Sequence, residues 1–248
     1  MFYEQNSGSK QSHWIPLSDM MTGLMCVFLL ISLICIIELQ SRAKVAIQLA
    51  QDFQGARTDL ANDFNKNFAN ESSKYGGIYL GNTDFRFTGN TFLTGSYELN
   101  ESFKHYLNNF FPKYLSILLK EQFKKYIIEI RIEGHTSPYW TDAKSELDAY
   151  IKNMALSQAR ARATLEYILN IDSPIIKDKK NFSWLKEKLT ANGLSSSRPL
   201  KKINTNNIDY SASQRVEFKT LLLPDPKIAC KLESFSKNQN LNCLEKIK

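Results

Sequence analysis

Three histidines in a chain of 248 residues leave little material for acid–base catalysis or a histidine-rich metal site. They stand at His13, His105 and His135, far apart, and none has a nucleophile or a second ligand at a useful spacing. There is no phosphate loop and no zinc-finger, helix-turn-helix or RNP pattern, which argues against nucleic acid as a direct partner. The chain is therefore not read as an enzyme, and no bound cofactor is expected. Cysteine is scarce as well. Cys26 and Cys35 lie in an apolar stretch as packing residues, while Cys230 and Cys243 lie in a polar, Lys-rich C-terminal segment. In an oxidising compartment that second pair would form a disulfide; in the cytosol it would be two free thiols. Long hydrophobic runs are absent except for one.

That run is "WIPLSDMMTGLMCVFLLISLICIIEL", Trp14 to Leu39. Its uncharged centre, Met20 to Ile37, is 18 residues long. At about 1.5 Å per residue this spans roughly 27 Å, close to the thickness of a bilayer's hydrocarbon core. A signal peptide would have a basic start, a shorter core and a small-residue cleavage site, and "ELQSRAKV" offers none. The run is read as a retained single transmembrane helix, with residues 1–13 as a short tail before it. Lys10 precedes the span, whereas Arg42, Lys44 and Arg57 follow it. A positive-inside count alone would place the larger C-terminal part in the cytoplasm.

Within the span stands a carboxylate, Asp19. An ionisable side chain in a membrane is a candidate ion carrier, and Ser18 and Thr22 could add oxygen ligands. The alternative is an acid placed at the positive end of the helix dipole, as Glu38 could sit at the other boundary. Spacing does not separate the two.

Beyond the span, Leu39, Ala43, Ala46, Ala50, Phe53, Arg57, Leu60 and Phe64 recur in steps of three and four. Such a stripe is the seam of a coiled coil, implying a homodimer through a helical linker over 40–75; an amphipathic helix lying on its own domain would show it too. Arg57 is the misfit on the seam. "ESSKYGG" at 71–77 reads as a break. A folded unit over 76–223 follows, with short strands and turns near 77–96, a helix over 100–123 containing Pro112, and a half-buried strand over 126–136. In that strand Ile128, Ile130 and Ile132 alternate with Glu129, Arg131 and Glu133. A helix over 152–170, a helix, short strand and loop over 182–200, and a last strand over 213–223 complete an α+β domain. The segment 224–248 is a polar tail. The formal charge of +7 suits a solvated Lys-rich surface or an anionic polymer.

On the helix over 152–170, Asn153, Ser157 and Arg160 share one face, beside the strand end at Gly134, His135 and Thr136. A guanidinium among amide and hydroxyl groups suits a carboxylate ligand. A surface arginine paired with Glu166 is the plain alternative, and His135 could be a satisfied structural histidine.

The ordered series "RIEGHTS", "NMALSQARARATLEYIL", "LTANGLSSSRPL" and "SQRVEF" resembles the OmpA-like peptidoglycan-binding domain, over roughly half of the chain. That family has G-H-T-D at the turn, N-x-x-L-S-x-x-R-A on the helix and N-R-R-V-E in the last strand. Asn153, Leu156, Ser157, Arg160 and Ala161 match the helix motif, and Arg215, Val216 and Glu217 match the strand. The resemblance implies an α/β sandwich that binds the carboxylate and amine of the diaminopimelate in the peptide stem. Arg160 takes the role of the family's arginine, with Thr136 and Arg215 among the wall-binding residues. Ser137 stands where the family has an aspartate; Asp142 and Asp148, in the longer loop that follows, are out of register as replacements. An OmpA-like domain behind one N-terminal span is the layout of MotB-type stator subunits, and "WIPLSDMMTGLMCVFLLISL" is most similar to the B subunits of Zorya anti-phage systems. The resemblance implies an inner-membrane protein with a cytoplasmic N-terminus and a periplasmic domain, opposite to the charge count. It further implies a homodimer inside a ring of five membrane A subunits, and Asp19 as carrier of a translocated proton or sodium ion. It places Cys230 and Cys243 where disulfides persist. A flagellar stator subunit and a passive wall tether are the competing readings.

Overall fold

The computed structural model describes residues 14–69, 77–81, 83–89, 91–93 and 95–223. The first element, α1 (Trp14–Phe68), is one uninterrupted helix of 55 residues. Pro16 is accommodated because the first-turn N–H groups have no partner inside the helix. From Ser18 to Leu39 the side chains are exposed to whatever surrounds the helix.

The other end of α1 is packed into the domain. Leu60, Phe64 and Phe68 are buried in the same core as the strands. Lys120 Nζ lies 2.6 Å from Asp63 Oδ2, and the Tyr79 hydroxyl donates to the Ala61 carbonyl at 3.0 Å. The upper part of the predicted dimer seam is therefore corrected: Leu60 and Phe64 are spent on their own domain. Leu39, Ala43, Ala46 and Ala50 remain exposed.

The domain has two layers. Its five-stranded sheet contains β1 (Gly77–Tyr79), β2 (Asp84–Thr88), β3 (Ile127–His135), β4 (Leu189–Gly193) and β5 (Arg215–Leu222). Their spatial order is β1-β2-β5-β3-β4, antiparallel except for the β3–β4 pair. One face carries Phe85, Phe87, Ile130, Ile132, Val216 and Phe218, all buried. Against it pack the end of α1, α2 (Glu101–Leu118) and α4 (Glu146–Leu169), with the single turn α3 (Glu121–Lys124) between the last two. Helix α2 starts at Asn100, whose side chain accepts from the Ser102 N–H, and it runs through Pro112. It buries Phe103, Tyr106, Phe110, Phe111 and Tyr114 at four-residue and three-residue steps. Phe64 stacks on Tyr114 at 5.3 Å and meets Phe85 edge-on at 5.2 Å, so the long apolar helix ends inside the aromatic core. The short helices α5 (Pro174–Lys177), α6 (Lys179–Lys188) and α7 (Tyr210–Ser213) complete the domain.

The alternation expected for β3 holds at Ile130 and Ile132 but not at Ile128. An irregularity between Ile127 and Glu129 turns Ile127 inward and leaves Ile128 exposed. Residues 1–13, 70–76 and 224–248 lie outside the described residues. The expected break over 71–77, but for Gly77, and the expected Cys230–Cys243 pair fall there.

Candidate functional site

The site is built where α4 crosses the ends of β3 and β4. Two glycines allow that crossing. A Cβ on Gly134 would sit 2.2 Å from the Ser157 carbonyl oxygen, and one on Gly193 would sit 2.3 Å from the Gln158 nitrogen. Neither space exists, so the helix backbone lies directly on the strands. Helix α4 begins at Ser145, which accepts from the Asp148 N–H, while the Asp148 carboxylate accepts from the Lys144 N–H at 2.8 Å.

Asn153, Ser157 and Arg160 are all buried on the inner face of α4. Ser157 is a staple. Its hydroxyl donates to the Met154 carbonyl at 2.9 Å and accepts from the Ser195 N–H at 2.9 Å. The Ser195 carbonyl in turn accepts from the Thr136 N–H at 3.0 Å. The turn after β3, the loop after β4 and α4 are thereby tied together. Two polar atoms here are buried without a partner among the described residues: Asn153 Nδ2 and Thr136 Oγ1. Such groups are costly to leave unsatisfied, and they mark where a ligand's polar atoms could dock.

Arg160 is 4% exposed and forms no ion pair among the described residues, with Glu166 or any other acid. Its Nε donates to the Ser96 carbonyl at 2.9 Å, and its guanidinium lies 4.9 Å from the centre of the Phe92 ring. Burial pushes it down to about 10. A desolvated cation held on a ring face, with its terminal nitrogens uncommitted among the described residues, is prepared for an anionic ligand. The loop between β2 and α2 that supplies Phe92 and Ser96 carries no sign of this role in the sequence. The contact joins residues 64 apart, and only the fold brings them together.

The remaining candidates stand elsewhere. Leu156 is half-buried, and Ser137 is buried beside Thr136. Asp142 is exposed, and its carbonyl accepts from Lys152 Nζ at 3.1 Å. The Asp148 carboxylate is occupied by the Lys144 N–H and by Lys152 Nζ at 2.9 Å. Arg215 is not brought beside Arg160. It points from the opposite face of the sheet, where Arg86, Arg131, Glu133, His135, Arg215, Glu217 and Lys219 form a ladder across β2, β5 and β3.

In that ladder Glu217 Oε1 accepts from Arg215 Nε at 2.6 Å and from Arg86 Nε at 2.8 Å. Burial pushes the Glu217 carboxyl up, but these two arginines outweigh it and hold it at about 2. Glu133 is likewise pushed up by burial and pulled further down by His135 and by Lys219, 2.9 Å away, to about 2. His135 is not the satisfied histidine that the sequence allowed. Among the described residues neither ring nitrogen makes a well-formed hydrogen bond, although Nε2 lies 3.4 Å from Glu133, and burial lowers its proton affinity. Donor atoms of Glu133, His135 and Glu217 fall within 4.8 Å of one another, a metal-like set. With both carboxylates already matched by arginine and lysine, the group reads as a charge ladder.

At the N-terminal end, Asp19 lies in α1 about one turn into the apolar run and is exposed. The Thr22 hydroxyl donates to the Ser18 carbonyl at 2.8 Å, which commits its proton to the helix and leaves its lone pairs free. Cys26 and Cys35 are free thiols on the same exposed helix.

No protein-family model matches the chain. Among solved structures, a MotB-like protein from Desulfovibrio vulgaris is 19% identical with a TM-score of 0.41, covering 73% of this chain and 99% of that one. The cell wall anchor of the type VI secretion system from Pseudomonas aeruginosa is 18% identical with a TM-score of 0.42, covering 67% and 99%. Zorya protein ZorB of Escherichia coli is 35% identical over 212 residues, which is 84% of this chain and 87% of that protein. At that identity and over that length, the chain belongs to the ZorB family of Zorya proteins.

Proposed function

We propose that this chain is the B subunit of an ion-driven motor of the inner membrane, anchored to peptidoglycan and acting in defence against phage. The observation that carries the reading is mechanical. One continuous helix joins the intramembrane Asp19 to Leu60, Phe64 and Phe68 in the core of the wall-type domain. A load taken at one end is felt at the other without a flexible joint.

In this reading the N-terminus is cytoplasmic and the domain is periplasmic. Two copies pair through the exposed lower stripe, Leu39, Ala43, Ala46 and Ala50, inside a ring of A subunits, five by family resemblance. Asp19, with oxygen atoms of Ser18 and Thr22, loads and releases a proton or a sodium ion. Each change of charge alters its preferred contact with the ring, and that two-state preference couples ion flow to movement. Arg160 takes a carboxylate of the peptide stem, and Asn153 and Thr136 offer further polar atoms to the same ligand. The wall then holds the dimer still while the ring turns.

The test of the anchoring half is sedimentation of the full-length protein with purified sacculi, alongside phage protection of the intact operon. Arg160→Ala should reduce co-sedimentation by about tenfold or more, since it removes the desolvated cation on the inner face of α4. It should also abolish protection at equal expression. Undiminished co-sedimentation would remove Arg160 from the wall contact.

A further inference from the structure

We propose that residues 224–235 of this chain fold back as a strap into the groove that α1 forms with the ends of β2, β3 and β5, and so clamp the long helix where it enters the domain. The inference stands apart from the wall-binding and ion-carrying readings.

The groove has a volume of about 480 Å³, the size of a pocket that takes up a small apolar ligand. Phe53 and Arg57 of α1 form one wall, and Ile128, Leu221, Leu222 and Leu223 form much of the other. Ile128 is 37% exposed and Leu223 is 50% exposed, so the sheet wall presents uncovered apolar surface. The irregularity in β3 that turns Ile128 away from the helices sets it on this groove. Arg57, the misfit of the helical stripe, lines the groove and makes no ion pair among the described residues. Across from it Lys219 is engaged by Glu133 at 2.9 Å and Glu217 at 3.3 Å, and Asp84, the acid in the lining, feels Lys219 more strongly than Arg57. The groove is thus an apolar slot with a spare cation on its helical lip.

The chain itself leads into this slot. Leu223 lines it, and its N–H donates to the Tyr126 carbonyl at 2.9 Å, which pins the exit of β5 at the rim. Residues 224–248 continue from that point and lie outside the described residues. A segment tethered so close is presented at a high effective concentration, so a modest contact is enough to hold it. The residues that follow Leu223 are "PDPKIACKLESF". Pro224 and Pro226 favour an extended start. Asp225 between them is two residues, about 7 Å of chain, beyond Leu223 and supplies the anion that Arg57 lacks. Ile228, Leu232 and Phe235 then recur in steps of four and three, one face of a helix, while Lys227, Cys230 and Ser234 take the other. An amphipathic helix laid into an apolar groove is a recurring mode of recognition, used here within one chain. With the strap in place α1 is held from Phe53 onward as well as by Leu60, Phe64 and Phe68, which lengthens the clamped part of the helix by about two turns.

The experiment is disulfide trapping in the full-length protein in detergent, with Cys230→Ser and Cys243→Ser as background and diamide as oxidant. Ile128→Cys is combined either with Leu232→Cys, on the apolar face of the strap, or with Ser234→Cys, on its outer face. The Leu232→Cys pair should cross-link within one chain, at least about fivefold faster than the Ser234→Cys pair, which shares the same tether. Separately, Leu232→Asp should lower the domain's Tm by about 4 °C or more, and Ser234→Asp should leave it unchanged. Equal rates for the two pairs, or a Tm that Leu232→Asp does not move, would overturn the strap. A cross-link that joins two chains would overturn it too, and would give the groove to a second copy.

Discussion

Phe64→Ala tests whether the apolar N-terminal helix and the sheet domain are one rigid body. Phe64 is fully buried, with ring neighbours Phe68 at 6.1 Å, Tyr79 at 6.3 Å, Phe85 at 5.2 Å and Tyr114 at 5.3 Å. Four aromatic partners, one on α1 itself and the others on β1, β2 and α2, cannot all close over the space that an alanine leaves. The loss is then transfer plus cavity, about 3–5 kcal/mol. For a chain of this size each kcal/mol is worth roughly 2–4 °C, so the domain's Tm should fall by about 6–20 °C. The matched control is Ile47→Ala, five turns nearer the membrane on the same helix and 58% exposed, which should change stability by less than about 0.5 kcal/mol. Both are read by thermal unfolding of the full-length protein in one detergent, followed by near-ultraviolet circular dichroism of the aromatic core. If Phe64→Ala melts with the Ile47 control, α1 is not part of the domain, and a rigid path from Asp19 to the sheet domain is refuted.

Two further predictions concern charge. Burial pushes the Asp84 carboxyl up to about 6, against the pull of Lys219. A raised acid favours the protonated folded state, so its contribution is full below about pH 4 and is lost as pH rises through 6. Asp84→Asn should therefore gain on the order of 1 kcal/mol at pH 7.5, screening included, with the gap in Tm opening between pH 4 and 6. Glu133 and Glu217, held at about 2, act in the opposite window: their stabilisation is present above about 4.5 and is lost as pH falls toward 2. Glu217→Gln leaves Arg215 buried beside a neutral group and should cost about 3–5 kcal/mol by chemical denaturation at pH 7. A cost near zero would show that the ladder is solvated in practice.

The long apolar N-terminal helix was legible from its unbroken run, and β3, β5 and α4 because each carries a clean period with little competing. The core stripe of α4 also held in register, since Asn153, Ser157 and Arg160 do share the buried face. The end of α1 was ambiguous for a physical reason. A stripe at three-residue and four-residue steps reports that one face is covered, not what covers it, and Leu60 and Phe64 turn out to be covered by their own domain. Glu133 reads as solvent-facing by alternation, yet it is buried, because Lys219, Arg198 and His135 gather on it from β5, a loop and its own strand. Phe92 and Ser96, which aim Arg160, were invisible because their partner is a distant residue and their own types are unremarked in a turn. Ile128 was misplaced by a strand irregularity that no local pattern announces.

The central claim is that Asp19 is an ion carrier rather than a helix-end acid, and the most direct measurement is plaque formation on cells carrying the intact operon. Wild type is compared with Asp19→Asn at equal expression, with co-purification of the membrane partners showing that the complex still assembles. Asparagine keeps the size and polarity of the side chain but cannot take up and release a charge. The account predicts that protection disappears while assembly is unchanged. Protection that survives the substitution would contradict it, and would leave the chain as a wall tether with a single membrane anchor.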